Sequence, residues 1–295
     1  MLICKKIIQV YNSLNPSSTI FFILIEPIGY FFAVLIGIIL GLIGAGGSIL
    51  AVPVFTYLFL IDEKLATGYS LFVVGFSALL GSLKQFQKGN INFEIVFIFG
   101  LPAILSVTAV RSFLIPVLPD LLFQIGDMSI TRRMGVLGLF AIIMLPAAYS
   151  MLKVPKYNVP RKSSKRLGYN YLLIIVEGII IGGVTGFVGA GGGFLIIPAL
   201  IFLTKINIKT AIGTSLVIVT LKSLIGFFLG DSLLMPIDWS FLLPFTFFAL
   251  FGVFIGNYLG NYFGNSKLRK LFGYFIFVMA GFIIYMEFID PSSIF

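Results

Sequence analysis

A glycine-rich run occurs twice in this chain, at the same place in each of two related halves. The run Gly-Ala-Gly-Gly at 44–47 returns at 189–192, and residues 41–81 align with 186–226 without a gap. Seventeen of the 41 aligned positions are identical. Both copies lie between long apolar stretches. A duplicated membrane chain whose halves share a glycine-rich interruption is typical of transporters built from two repeats.

The composition places this chain in a lipid bilayer. Apolar residues make up 59% and charged residues 11% of the 295 positions, with 33 Phe and a mean hydropathy of +1.11. A water-soluble protein of this length could not cover that much apolar surface. Bilayer-spanning helices of about 20 residues fit the apolar runs, and the period-2 alternation of a lipid-facing barrel is missing. We therefore predict an all-α polytopic membrane protein.

The apolar segments divide into two sets of five. We place them at about 20–42, 49–61, 66–83, 93–117 and 134–152, then at 171–188, 194–204, 210–229, 240–262 and 269–288. An odd number of segments per copy means that the second repeat is inserted upside down relative to the first. The predicted organisation is an N-terminal stub (1–19), a first repeat (20–152), a basic connector (153–170) and a second repeat (171–289).

The distribution of basic residues predicts the orientation. With the N-terminus outside, the inside loops carry thirteen Lys and Arg, six of them in the connector, and most acidic residues lie outside. Both termini are therefore predicted outside a bacterial inner membrane, by the excess of cations in cytoplasmic loops. The same rule explains the net charge of +9, so no nucleic-acid partner is expected.

Two residue types needed for many catalytic and metal sites are scarce or absent. The chain has no His and a single Cys, Cys4. An internal disulfide and a Cys-based metal site are excluded, and the commonest general base is missing. We expect no metal, no cofactor and no enzymatic activity.

The segments that follow the glycine runs are too short to cross a bilayer. Residues 49–61 and 194–204 make helices of about 20 and 16 Å, against a hydrocarbon core of about 30 Å. Each glycine break is therefore predicted inside the membrane, where the positive end of a short helix would bind an anion. The alternative is that the glycines only permit close helix packing, as the glycines spaced by four at 252–264 do.

Polar side chains near the breaks complete the predicted substrate site. Lys222 lies in the middle of an apolar segment, where a charge usually faces a cavity or a partner, although it could snorkel or form a structural ion pair. Hydroxyls one turn inside the third segments could line the route or bond to the backbone. The predicted site consists of Gly44, Ala45, Gly46, Gly47, Ser48, Ser70, Gly189, Ala190, Gly191, Gly192, Gly193, Thr214, Ser215 and Lys222.

Three further charged residues lie within or near apolar segments. Glu26 and Glu177 are candidates for proton coupling, since burial favours the protonated carboxyl; a structural role, such as pairing with Lys222, is the alternative. Arg111, late in the fourth segment, is expected to snorkel to the membrane interface, with gathering of anions at the outer mouth as the other interpretation.

These motifs resemble the sulfite exporter TauE/SafE family, also called the 4-toluene sulfonate uptake permeases. The resemblance covers about residues 30–290 and rests on the paired glycine runs, the following Pro53 and Pro198, and the Ala-x-Gly-x-Ser-Leu openings at 66–71 and 211–216. It implies transport of sulfite, sulfonates and related small organosulfur anions across the bacterial inner membrane. Ser48, in place of the glycine at 193, and the long 118–133 stretch depart from the pattern.

The sequence therefore predicts a permease for small anions that works by alternating access of two inverted repeats. The family resemblance implies a sulfur-containing substrate, whereas the helix ends indicate only a preference for negative charge. The rival interpretations are a carrier for another solute such as a carboxylate or a cation, a membrane-embedded enzyme, and a scaffold protein. The expected partners are a small anionic substrate and the lipid bilayer.

Overall fold

The computed structural model describes residues 16–43, 48–125, 128–153, 170–189, 191–204, 206–259 and 265–289. Within them the first half of the chain forms five helices. They are α1 (Pro16–Ile43), α2 (Ser48–Pro53, continued by a π-helical turn Val54–Leu58), α3 (Glu63–Gln87), α4 (Phe93–Ala109, continued by a π-helical turn Val110–Leu114 and by Ile115–Val117) and α5 (Arg132–Leu152).

The second half repeats this order. Its helices are α6 (Tyr171–Val188), α7 (Gly193–Thr204), α8 (Ile208–Gly226, continued by a π-helical turn Phe227–Asp231 and by Ser232–Leu234), α9 (Trp239–Leu259) and α10 (Asn265–Ile284, continued by a π-helical turn Tyr285–Ile289). Six of the described helices are long and apolar enough to cross a bilayer. The ten predicted segments are confirmed, with α1 beginning at Pro16, inside the stretch assigned to the N-terminal stub.

The connection between α4 and α5 contains the β-structure of the described residues. Strands β1 (Leu121–Ile125) and β2 (Met128–Thr131) form an antiparallel hairpin, with an irregular register between Leu121 and Phe123. The hairpin ends at Thr131, whose hydroxyl accepts a hydrogen bond from the Met134 N–H and caps α5. The stretch at 118–133, which departs from the family pattern, therefore contains a short hairpin outside the helices of an all-α protein.

Each of the main helix pairs joins a helix of the first half to a helix of the second half. Helix α1 packs on α9 and α6 packs on α4, while α3 packs on α8 and α5 on α10. Equivalent helices run in opposite directions where they meet: Gly75 of α3 lies against Leu224 of α8, whereas Gly81 lies against Leu216. Two repeats of inverted topology produce this pattern, because a two-fold axis in the membrane plane reverses the direction of each equivalent helix.

Glycines bring the exchanged helices into backbone contact. A Cβ atom placed at Gly182 of α6 would lie 2.5 Å from the Ala103 carbonyl oxygen of α4. On the other side, a Cβ at Gly37 of α1 would lie 1.9 Å from the Ala249 carbonyl oxygen of α9. Small residues drive such association in lipid, where apolar side chains gain little by leaving the bilayer. These two interfaces hold α3 and α8, the most buried of the long helices, at the centre.

We expect Gly182→Leu to destabilise the protein because the added side chain would overlap the backbone of α4. Overpacking of this kind costs about 1–3 kcal/mol or more of the free energy of unfolding. The measurement is the melting temperature of the purified protein in detergent. Gly281→Leu is the control, since a Cβ at Gly281 meets no atom within 4 Å. Equal melting temperatures for both variants would contradict this account of the interface.

Candidate functional site

The second glycine break has a backbone that requires glycine. Helix α6 ends at Val188 and is capped by Gly189, which has φ of +73° and donates its N–H to the Thr185 carbonyl. Gly191 and Gly192 follow with φ of +62° and +64°. These values lie in the left-handed region that other residues adopt only at a cost. Helix α7 then begins at Gly193, and the Leu195 and Ile196 N–H groups of its first turn donate to the Gly192 carbonyl.

This break is enclosed by the central helices α3 and α8. A Cβ placed at Gly189 would lie 2.2 Å from the Thr67 Cβ, and one placed at Gly191 would lie 2.6 Å from the Val74 Cγ1 and 3.5 Å from the Ser223 Oγ. Val74 and Ser223 stand near the middle of their helices. The second break is therefore buried in protein at about half the depth of the bundle, as non-helical backbone inside a bilayer requires.

Lys222 extends to this break from the middle of α8. Its side chain is 1% exposed, and Nζ donates a hydrogen bond of 2.5 Å to the Thr185 Oγ1. The Thr185 hydroxyl in turn donates to the Gly182 carbonyl. A Cβ placed at Gly192 would lie 2.8 Å from Nζ. In the described part of the chain no carboxylate lies within ion-pair distance of Lys222, so its charge is not balanced there.

Buried hydroxyls without partners lie on the two central helices α3 and α8. The Oγ atoms of Ser70, Ser77 and Ser223 are buried and have no hydrogen-bond partner among the described residues. Ser70, Val74 and Ser77 follow one another along one face of α3, at the spacing of successive helical turns. Since buried hydroxyls are normally hydrogen-bonded, this surface has capacity to donate to a bound oxyanion.

A second buried cation lies near the N-terminal end of α3, which begins directly after Asp62. Arg111 is fully buried, its Nη1 donates to the Thr67 Oγ1 at 3.0 Å, and its Nη2 lies 3.2 Å from the Asp231 Oδ2. The expectation that Arg111 snorkels to the membrane interface is wrong, and the gathering of anions at the outer mouth stays a prediction. Its guanidinium lies between Thr67 of α3 and Asp231 of the π-helical turn after α8, and Asp231 supplies a counter-charge.

Comparisons with known proteins identify the kind of protein that carries this arrangement. The family model described as sulfite exporter TauE/SafE matches residues 30–283. This chain belongs to the TauE/SafE family. The resemblance drawn from the glycine runs is confirmed, and the chain is a multi-pass membrane transporter of this family.

Curated TauE/SafE relatives carry names of the same kind. A probable membrane transporter protein of Xylella fastidiosa (strain 9a5c) is 30% identical over 254 residues, covering 85% of this chain and 92% of that protein. The probable membrane transporter protein YdhB of Bacillus subtilis (strain 168) is 30% identical over 185 residues, covering 63% and 70%. No solved structure matches the chain.

The structure brings together only part of the predicted site. Gly189, Gly191, Gly192, Gly193 and Lys222 meet at the second break. The first break, Gly44, Ala45, Gly46 and Gly47, and also Ala190, lie outside the described residues. Ser48 begins α2, and its side chain is not among those described.

The other predicted residues lie away from the second break. The Thr214 Oγ1 accepts from the Asn92 N–H at 3.0 Å, and the Ser215 Oγ donates to the Ile212 carbonyl. Glu177 is half-buried, and its Oε2 has no hydrogen-bond partner in the described part of the chain. Glu26 belongs to α1, with its side chain outside the description. Proton coupling by Glu26 or Glu177 stays a prediction.

Sequence reasoning did not anticipate the contacts of Thr185 or Asp231. Thr185 lies four residues before Gly189, one turn from the break, and this spacing on α6 was a usable signal. Asp231 ends the apolar run of α8, where the sequence alone gives a carboxylate no reason to be buried. Its pairing with Arg111 depends on the inverted packing of the repeats, which no local pattern encodes.

We expect Thr185→Val to lower the melting temperature, because it removes the hydroxyl that accepts a hydrogen bond from Lys222. Leaving a buried charged donor unpaired costs about 1.5–3 kcal/mol. The control is Thr204→Val, since the buried Thr204 hydroxyl donates only to the Leu200 carbonyl of its own helix. Melting in detergent measures both variants. A loss no larger for Thr185→Val than for Thr204→Val would contradict the importance of the Lys222 contact.

Proposed function

We propose that this chain is a permease for small anions, with sulfite, sulfonates and related organosulfur anions as its leading substrates. The observation that carries the proposal is the buried Lys222 ammonium beside the second glycine break, without a carboxylate among the described residues. A cation in this position costs several kcal/mol to insert into a bilayer. An anionic substrate would provide the missing counter-charge during each transport cycle.

The backbone at the break supports the same ligand chemistry. Helix α7 begins at Gly193, so the positive end of its helix dipole lies at the break. Gly191 and Gly192 carry no side chain, so Val74 packs closely against the backbone of the break and the Lys222 Nζ lies beside it. Ser223, with its unpartnered hydroxyl 3.5 Å from the Cβ position of Gly191, adds a donor.

The inverted repeats supply a route for alternating access. The site lies between α6 and α7 of the second repeat and α3 of the first repeat, so movement of one repeat against the other would alter its surroundings. Lys222 corresponds to Ser77 in the first repeat. The two halves would therefore make unequal contributions, with the charge supplied by the second repeat.

The rival functions differ in the charge and chemistry they need. A cation carrier would place its substrate beside an uncompensated ammonium, which Coulomb repulsion opposes. A carboxylate would satisfy the same donors as a sulfur oxyanion, and the family description alone favours sulfur. A membrane-embedded enzyme would need a nucleophile and a base in contact. A scaffold protein would not need a buried cation that lacks a counter-charge.

A panel of anions should separate these functions. We expect sulfite, thiosulfate or sulfoacetate to raise the melting temperature of the detergent-purified protein, because a ligand at 100 times its Kd adds about 2.7 kcal/mol to the free energy of unfolding. Chloride at equal ionic strength is the baseline. Stabilisation by dicarboxylates or by cations alone would reject sulfur anions as the substrates and favour the rival carrier.

Counterflow in proteoliposomes then tests the site itself. We expect Lys222→Met to reduce exchange of the stabilising anion at least about tenfold, since a charge-assisted contact is worth 1.4 kcal/mol or more. Gly191→Leu should do the same, because its side chain would collide with Val74 and strain the left-handed backbone of the break. Lys88→Met, at an exposed position in the connection after α3, is the control. Exchange at the wild-type rate in both site variants would remove the proposed site.

A further inference from the structure

The paired Arg111 and Asp231 lie on two π-helical turns that face each other. Arg111 is part of the turn Val110–Leu114 after α4, and Asp231 ends the turn Phe227–Asp231 after α8. The two turns are in contact. A π-helical turn inserts a residue into a helix, and such turns concentrate at functional sites. Both charged residues of this pair lie in π-helical turns, which distinguishes the contact from ordinary packing between α-helices.

The pair is buried but incompletely hydrogen-bonded. Both side chains have no exposed surface, yet the Nε and Nη2 of Arg111 and both carboxylate oxygens of Asp231 have no hydrogen-bond partner among the described residues. A buried ion pair repays its desolvation only when good geometry and further hydrogen bonds accompany it. Stability is therefore a weak reason for this pair to exist, and a pair held by few bonds can separate.

Small residues admit the two side chains to this position. A Cβ placed at Gly230 would lie 2.6 Å from the Arg111 Cβ, and one placed at Gly68 would lie 3.1 Å from the Asp231 Oδ2. Among the described residues, Arg111 is the group that places a positive charge beside the Asp231 carboxylate. The contact therefore depends on one ion pair and on the Arg111–Thr67 hydrogen bond, with glycine surfaces on either side.

The pair lies closer than Gly191 to the end of the bundle where α3 begins. Thr67, which accepts from Arg111, packs against Gly189 at the start of the break. Two turns further into the membrane along α3, Val74 packs against Gly191. Asp231 likewise lies beyond Ser223 along α8, at the end of its π-helical turn. Arg111 and Thr67 belong to the first repeat, whereas Asp231 and Gly189 belong to the second.

We propose that Arg111 and Asp231 form a gate that closes the anion site toward the connections at 59–62 and 235–238, the predicted outer side. The gate rests on the proposed function, because it presumes that the second break is the substrate site. Opening toward this side requires the repeats to separate here, which breaks the ion pair and moves Thr67 away from Gly189. An opened gate leaves the Arg111 guanidinium lining the passage, where its positive charge favours anions.

Cysteine accessibility tests the gate without knowledge of the substrate. Cys4 is the one cysteine of the chain, so Cys4→Ser provides a background for Ser223→Cys, a reporter at the second break. The probe is the membrane-impermeant anion 2-sulfonatoethyl methanethiosulfonate, applied to either face of vesicles. Ser240→Cys and Lys88→Cys, at exposed positions near opposite ends of α3, report which face the reagent reaches.

We expect the intact pair to protect Ser223→Cys from the face that labels Ser240→Cys. Asp231→Asn and Arg111→Gln should each increase the labelling rate from that face at least about tenfold, a shift of 1.4 kcal/mol in the closed–open equilibrium. Arg111→Lys keeps the charge and should keep most of the protection. The matched control is Glu287→Gln: Glu287 is also buried on a π-helical turn and pairs with Arg133 at 3.0 Å, but it joins α5 to α10 away from the break.

The outcomes separate the gate from the site. Labelling of Ser223→Cys from the Ser240 face at equal rates with and without the pair would overturn the gate. Rapid labelling from that face with the pair intact would overturn it as well, and needs no variant of Arg111 or Asp231 to fold. Labelling from the Lys88 face alone in every variant rejects the gate but leaves the site accessible. Protection from both faces in every variant rejects the gate and also the proposed site.

Discussion

Non-helical backbone inside a bilayer must be sealed by protein, and this requirement organises the structure around the second glycine break. The left-handed residues Gly189, Gly191 and Gly192 cannot expose their peptide groups to lipid. Helices α3 and α8 cover them from both repeats, and backbone-to-backbone packing of α4 on α6 and of α1 on α9 holds those covering helices in place. Glycine thus has two roles: it permits the left-handed backbone of the break, and it permits the close helix packing that encloses the break.

The enclosed region holds two cations in opposite situations. Lys222 has a hydroxyl partner and no carboxylate within the described structure, whereas Arg111 has Asp231. A low-dielectric interior penalises the first arrangement more than the second. An uncompensated charge is useful where a ligand brings the counter-charge, and a compensated one is useful where a contact must close without a ligand. The proposed site and the proposed gate both rest on this difference.

The sequence predicted the helices well because bilayer-crossing segments leave a strong local signal. The ten apolar segments, the shortness of α2 and α7 and the inversion of the repeats could all be derived from composition, length and an internal alignment. Lys222 could be selected as well, since a lysine in an apolar run is unusual wherever it points. Arg111 was misjudged because its position near the end of α4 fits snorkelling and burial equally.

Local sequence thus determined which segments enter the membrane, where each helix is interrupted and that the chain is duplicated, because hydrophobicity and glycine conformations are properties of short stretches. Tertiary structure alone decided what each charge meets. The partner of Lys222 comes from α6 and that of Arg111 from the turn after α8, and both depend on how the inverted repeats exchange helices. Long-range packing, rather than local pattern, therefore separates an unbalanced cation from a paired one.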